Sequence, residues 1–147
     1  MFFRRLTACI ALIWLGMILG ISFLEAPVKF TAPGVTLEVG LDIGRRVFGV
    51  FNKVECALAL AMAILVVIIK QKDRWVILPG IVWSSLALQT FWLLPRLDER
   101  VGIILQGQTP APSRLHTLYV ALEVLKTVVL ALYGYRMLQE REKRKPV

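Results

Sequence analysis

The chain has 147 residues, of which 57% are hydrophobic and 19% charged, and its mean hydropathy is +0.68. This composition excludes an ordinary water-soluble domain, in which about 45–50% of residues are apolar and about 25% are charged. The formal net charge of +8 would favour a nucleic-acid partner in a soluble protein. In so apolar a chain we attribute the charge to membrane topology instead and expect no nucleic acid.

Two charge-free runs predict membrane-spanning helices. One holds 19 residues and the other 21, and at 1.5 Å per residue each is long enough to cross about 30 Å of hydrocarbon. Two further segments carry a few charges but are otherwise too apolar for a small soluble core to bury. The four predicted spans are 6–24, 47–69, 75–95 and 115–135.

The fold prediction is therefore an all-α, integral membrane four-helix bundle over residues 1–138, followed by a basic tail at 139–147. We expect the first span to be retained rather than cleaved, because its apolar region exceeds the usual length in a signal peptide. Its Gly16 and Gly20 have the spacing of small residues that let two membrane helices approach closely.

The connections on the side away from the termini are predicted to be the longer ones, at 25–46 and 96–114. Residues 35–43 alternate like a strand, but a lone strand beside a bilayer would have unpaired edges. We therefore predict an interfacial amphipathic helix that is capped at Thr36, leads into the second span, and packs closely through Gly40 and Gly44. The prolines in 108–113 predict an extended linker.

Polar residues inside the spans form the candidate site. Measured from the outer end of each span, Glu55 lies about 12 Å deep, Gln89 about 9 Å and Glu123 about 13 Å. At 100° per residue, three faces then collect polar groups. They are Asn52, Glu55 and Cys56 on the second helix, Ser85, Gln89 and Trp92 on the third, and His116, Tyr119, Glu123 and Lys126 on the fourth.

These faces are predicted to meet in the outer half of the bundle. An unpaired charge near the bilayer centre would cost at least about 2.5–3.5 kcal/mol, so lipid is a poor neighbour for them. We expect Lys126 to lie between Glu55 and Glu123, with His116 and Asn52 nearer the surface. The outer connections add further candidates for the pocket, namely Glu25, Asp42, Arg46 and Arg96.

Basic residues predict the orientation. Ten lie near the two termini and the turn at 71–74, and six lie in the opposite connections. The positive-inside rule therefore places both termini in the cytoplasm, and we expect a bacterial inner membrane. The partners expected are the lipid bilayer and anionic lipid headgroups at the tail, while a homo-oligomer and a membrane-protein partner are both left open.

Several short motifs resemble a known family. They are the exit from helix one with Phe23, Pro27 and Phe30, the entry Arg46-Val47-Phe48, the exit Trp92-Leu93-Leu94-Pro95-Arg96, and His116 at the start of helix four. Together, over residues 6–132, they resemble the transmembrane protein 205-like family, a membrane domain of unknown function. The resemblance implies a four-span fold with Pro95, Arg96 and His116 as outer-side markers, and it implies no catalytic residue or cofactor.

Three functions remain open from the sequence. The first is a pocket that binds or conducts a small solute, an ion or a lipid headgroup, since ionisable residues inside membranes often mark such sites. The second is a metal or haem site using His116, Glu55 and Glu123. The third is a structural or partner-binding subunit whose Glu–Lys pairing fixes helix packing.

An enzyme is not expected, and the sequence identifies no cofactor. His116 and Glu123 are the one acid–base couple, and they lie about 10 Å apart along one helix, too far for a direct hydrogen bond.

Overall fold

The computed structural model describes residues 2–139 as four long helices joined by short connections, with no strand in that range. The helices are α1 (Phe2–Thr31), α2 (Leu37–Ile68), α3 (Arg74–Leu105) and α4 (Leu115–Gln139). All four are long and apolar enough to cross a membrane. The all-α four-helix bundle is thus confirmed, and the chain is an integral membrane protein by the length and composition of its helices. The predicted basic tail lies almost entirely outside the described residues.

Helices that follow one another in sequence pack side by side, and α4 closes the ring against α1. We call the end with Phe2, the α2–α3 turn and Gln139 the inner end, and the end with the other two connections the outer end. Gly134 of α4 lies against Leu12 of α1, so these two helices approach closely in the inner half. The inner half is filled by large apolar side chains, of which Met62, Val82, Leu130 and Tyr133 are at most 1% exposed.

Polar contacts close the inner end. Lys70 adopts a left-handed backbone conformation (φ 49°) directly after α2 and so ends that helix. Asp73 then accepts a hydrogen bond from the backbone N–H of Trp75 and starts α3. Tyr133 donates a 2.8 Å hydrogen bond to Gln71, and the guanidinium of Arg136 lies 4.4 Å from the centre of the Trp75 ring.

The outer ends of α1 and α3 contain π-helical turns, each just before a proline. They span Leu19–Glu25 and Gln89–Leu93 and precede Pro27 and Pro95. A proline inside an α-helix lacks the N–H donor and crowds the carbonyl four residues before it. The wider turns take up this crowding, as in the bond from the Leu94 N–H to the carbonyl five residues earlier.

Both helices therefore continue past their prolines, which corrects the predicted loops. Residues 94–105 are helical, and α1 runs to Thr31, so the first outer connection comprises only 32–36. The predicted cap at Thr36 is confirmed, since its hydroxyl accepts from the N–H of Val39 and α2 is continuous from there. Residues 108–114 are non-helical, and the Ala111 carbonyl accepts a hydrogen bond from Arg100.

The two glycine pairs behave differently. A Cβ atom on Gly40 would lie 2.3 Å from the Phe30 ring, and one on Gly44 would lie 2.9 Å from the Lys29 ammonium. These two glycines let the end of α1 lie against α2, as predicted. Gly16 and Gly20 have no neighbouring atom within 4 Å of an added Cβ, so their predicted packing is wrong for the described bundle.

Candidate functional site

A buried ion triad lies at the middle of the bundle, and we define it as Glu55, Glu123 and Lys126. The Lys126 Nζ atom lies 2.5 Å from Glu55 Oε1 and 2.9 Å from Glu123 Oε1. The side chains of all three residues are at most 1% exposed. The structure therefore brings these three predicted residues into direct contact, away from lipid. Such a pairing offsets the desolvation of buried charges only where further hydrogen bonds complete it.

Neutral donors from the other helices supply those hydrogen bonds. The indole N–H of Trp14 donates to Glu55 at 2.8 Å, and the amide of Gln89 donates to Glu123 at 2.7 Å. The hydroxyl of Ser22 reaches the second oxygen of Glu123 at 3.1 Å. All four helices thus meet at the triad, and α1 contributes two donors that the sequence analysis missed.

Two buried acceptors at the triad are left without a partner. Neither Glu55 Oε2 nor Gln89 Oε1 has a hydrogen-bond partner among the described residues. Both side chains are completely buried, so water at the surface does not reach them. Buried polar atoms are paired in the great majority of cases, and these two therefore require an explanation.

The π-helical turns present three of the polar groups at this level. Ser22 belongs to the first turn, while Gln89 and Thr90 belong to the second. The Thr90 hydroxyl accepts a 2.8 Å hydrogen bond from Asn52, which joins α2 to α3 above the triad. Turns of this kind are frequent at functional sites because they reorient side chains without ending the helix.

A cavity of about 820 Å³ opens above the triad in the outer half. It lies between the end of α1, the start of α2, the second half of α3 and the start of α4. Its wall is mainly apolar and includes Phe23, Phe30, Phe48, Leu94, Val101 and Ile104. Glu123 is the member of the triad that lines it, so the cavity reaches the triad through that carboxylate.

Predicted site residues line the cavity at different heights. Asn52 is buried, and so is Tyr119, which interacts with Glu123 and packs edge-on against Phe48 at 5.5 Å between ring centres. His116 is exposed and also lines the cavity. Asn52, Tyr119 and His116 thus share one cavity with Glu123, whereas Glu55, Lys126 and Gln89 do not line it.

Charged side chains surround the mouth of the cavity. Lys29 pairs with Glu25 at 3.4 Å, and its ammonium lies 5.6 Å from the ring centres of both Phe30 and Phe48. Arg45 pairs with Asp42 at 2.7 Å and lies 3.7 Å from Asp98. The charged side chains that line the cavity are thus the cations Lys29, Arg45 and Arg100 together with the carboxylates Asp98 and Glu123.

The predicted outer-loop candidates occupy other positions. Glu25 and Asp42 contact lining cations but do not themselves line the cavity. Arg46 is 73% exposed on its side chain, Arg96 is exposed, and neither lines the cavity. The charged residues of this region that do line it are Lys29, Arg45, Asp98 and Arg100, which lie one to four positions away in sequence.

Two of the predicted faces are also corrected. Trp92 is 44% exposed although Gln89 is fully buried, because the π-helical turn changes the angle between them. Cys56 is exposed as well, so Glu55 and Asn52 point inward without it.

The alternative function, a metal site, would use His116, Glu55 and Glu123 as ligands. Both carboxylates contact Lys126, and a cation beside an ammonium is repelled. Within residues 2–139 no three His, Cys, Asp or Glu side chains form a group that could hold a metal ion.

Comparisons of this chain with known protein families, with curated proteins and with solved structures found no match.

Proposed function

We propose that this chain is a membrane protein that binds an amphipathic lipid with an anionic headgroup in its outer cavity. The observation that carries the proposal is the combination of an apolar wall with three cationic side chains, Lys29, Arg45 and Arg100, in one space of about 820 Å³. Ligand sites in proteins typically enclose about 300–1,000 Å³ and combine apolar walls with a few polar groups.

The wall suits a hydrocarbon chain. Aromatic and aliphatic side chains from all four helices face the same space, and burying each methylene group of a ligand contributes about 0.8 kcal/mol. The polar groups deeper in the cavity are already engaged with one another, since Asn52 is bonded to Thr90 and Ser22 to Glu123. A hydrocarbon chain that enters this space therefore meets an amide and a hydroxyl donor that are already paired.

The mouth suits a carboxylate or phosphate headgroup. Arg45 and Arg100 carry planar guanidinium groups that can bind such an anion through two hydrogen bonds. Lys29 adds a third positive charge at the mouth of the cavity. From outside the cavity, Glu25 pairs with Lys29 and Asp42 pairs with Arg45, and these two pairs keep the cations in place.

We further propose that the outer end faces away from the cytoplasm of a bacterial inner membrane. The excess of basic residues at the inner end supports this orientation. Membership of the transmembrane protein 205-like family is also a proposal, supported by the motifs around Pro95 and His116.

Native mass spectrometry of the full chain, extracted with its own lipids, tests the proposed ligand. A matched pair of glycine variants makes the test specific, because an added Cβ meets no atom within 4 Å at Gly49 or at Gly16. Gly49 lines the cavity and Gly16 does not. We expect the wild type and Gly16→Phe to carry one bound anionic lipid, and Gly49→Phe to lose it.

A wild-type spectrum without a bound lipid contradicts the proposal, and so does equal binding by the two glycine variants. Either result favours the structural alternative, which rests on the complete pairing of Lys126 with two carboxylates. In that case the triad fixes helix packing, and a partner supplies the function.

A further inference from the structure

The charges of the triad do not balance. Glu55 and Glu123 would together carry two negative charges, and Lys126 carries one positive charge. The other groups that contact the triad are neutral, namely Trp14 and Ser22 from α1, Gln89 from α3 and Tyr119 from α4. With both carboxyl groups ionised, a fully buried site would hold one uncompensated negative charge, which a low-dielectric interior strongly disfavours.

The unpaired oxygen atoms indicate where the compensating charge lies. Glu55 Oε2 is buried and has no partner, whereas Glu55 Oε1 accepts hydrogen bonds from both Lys126 and Trp14. Gln89 Oε1, on a side chain that already contacts the triad, is a second unpaired acceptor. An additional proton bound to Glu55 Oε2 would supply the donor that this carboxylate oxygen lacks.

We propose that the triad holds one exchangeable proton in addition to the ammonium of Lys126. The proton forms an O–H bond at Glu55 Oε2, which leaves one carboxylic acid, one carboxylate and one ammonium, and hence no net charge. A second cation is a poorer occupant because the Lys126 ammonium already lies within 3 Å of both carboxyl groups.

The cavity gives this proton a route to the outer end. Glu123 lines the cavity, and Lys126 contacts both carboxyl groups. For release, the Glu55 carboxyl group rotates so that its O–H faces Lys126, which gives a proton to Glu123 and regains one from Glu55. When no lipid occupies the cavity, Glu123 then passes its proton to water there. On the inner side the triad is followed by the buried side chains of Met62, Val82 and Leu130. The site therefore exchanges protons with the outer end alone.

Infrared spectroscopy of the full chain in lipid vesicles at neutral pH tests this proposal, because a carboxylic acid and a carboxylate have separate stretching bands. We expect the wild type to show a carboxylic-acid band equal to one group per chain. Glu55→Gln and Glu123→Gln should each lose the band, since the remaining carboxylate and Lys126 balance. Lys126→Met should double it, because both carboxyl groups are then without a cation.

The Glu99→Gln variant serves as a control, since Glu99 is exposed and does not line the cavity, so its loss should leave the band unchanged. A wild type without the band overturns the proposal, as does a band that survives in both glutamine variants. A band present in choline chloride and lost in sodium chloride at the same pH also overturns it, in favour of a sodium site. If Lys126→Met does not fold, the two glutamine variants decide the question. None of these outcomes depends on the lipid ligand.

Discussion

The outer and inner halves of the bundle are made from the same four helices but differ in packing and in polarity. The inner half is packed with large apolar side chains and ends in a compact turn. The outer half encloses a cavity, contains both π-helical turns, and carries paired charges around its mouth. The inner half therefore provides most of the packing, and the outer half can leave a cavity open. The triad lies at the boundary between them.

The largest expected effect on the free energy of unfolding comes from removing the cation of the triad. Lys126→Met leaves two buried carboxyl groups without their cation, and removing one partner of a buried pair typically costs about 3–5 kcal/mol of unfolding free energy. The triple variant Glu55→Gln/Glu123→Gln/Lys126→Met should recover most of that loss, because it leaves no buried charge. Reversible unfolding of the vesicle-bound protein measures both. A triple variant as unstable as Lys126→Met would show that the pairing of charges is not what stabilises the boundary.

The second largest effect on the free energy of unfolding is expected from a substitution in the inner half. Leu130 is fully buried, whereas Leu132 on the same helix is 52% exposed. Leu130→Ala should lower the free energy of unfolding by about 2–5 kcal/mol through the cavity it creates. Leu132→Ala should change it much less. Lipid binding by refolded Leu130→Ala, measured by native mass spectrometry, should stay at the wild-type level; a loss of the ligand would mean that the halves are not independent.

The smallest expected effect on stability concerns the contact between the end of α1 and α2 in the outer half. Gly40→Val places side-chain atoms where the Phe30 ring now lies, and overpacking of this kind typically costs about 1–3 kcal/mol. Gly49→Val on the same helix meets open space and should be close to neutral. Thermal unfolding of the two variants side by side measures the difference. Equal stabilities would show that the end of α1 does not depend on its contact with α2.

The sequence predicted the architecture because charge and apolarity follow directly from the requirements of a bilayer. Charge-free runs marked α1 and α3, and the depth of Glu55 matched that of Glu123, so that a meeting with Lys126 could be expected. The Thr36 cap was also predictable, since a hydroxyl before an apolar periodic run is a common helix start.

Most of the missed features follow from the assumption of a uniform helical angle. The predicted spans end at 24 and 95, but wider turns let both helices continue past Pro27 and Pro95. The same turns place Ser22 at Glu123 and leave Trp92 exposed, and no hydrophobic pattern signals such a local change of angle. Trp14 was missed because an indole in an apolar run is ordinarily a packing residue, and its donor role depends on the position of Glu55.

The two π-helical turns also determine how sequences with the same four spans can differ. Each turn holds in effect one more residue than an α-helix would use over that stretch. Deleting one residue between Gln89 and Leu93 should therefore convert this turn into a regular α-helical turn, and the helix from Leu94 onward would keep its orientation. Leu94, Val101 and Ile104 would then still line the cavity, whereas Gln89 and Thr90 would lose the local geometry from which they bond Glu123 and Asn52. A single residue of chain length within α3 therefore determines which polar side chains reach the triad, while the apolar wall of the cavity stays as it is.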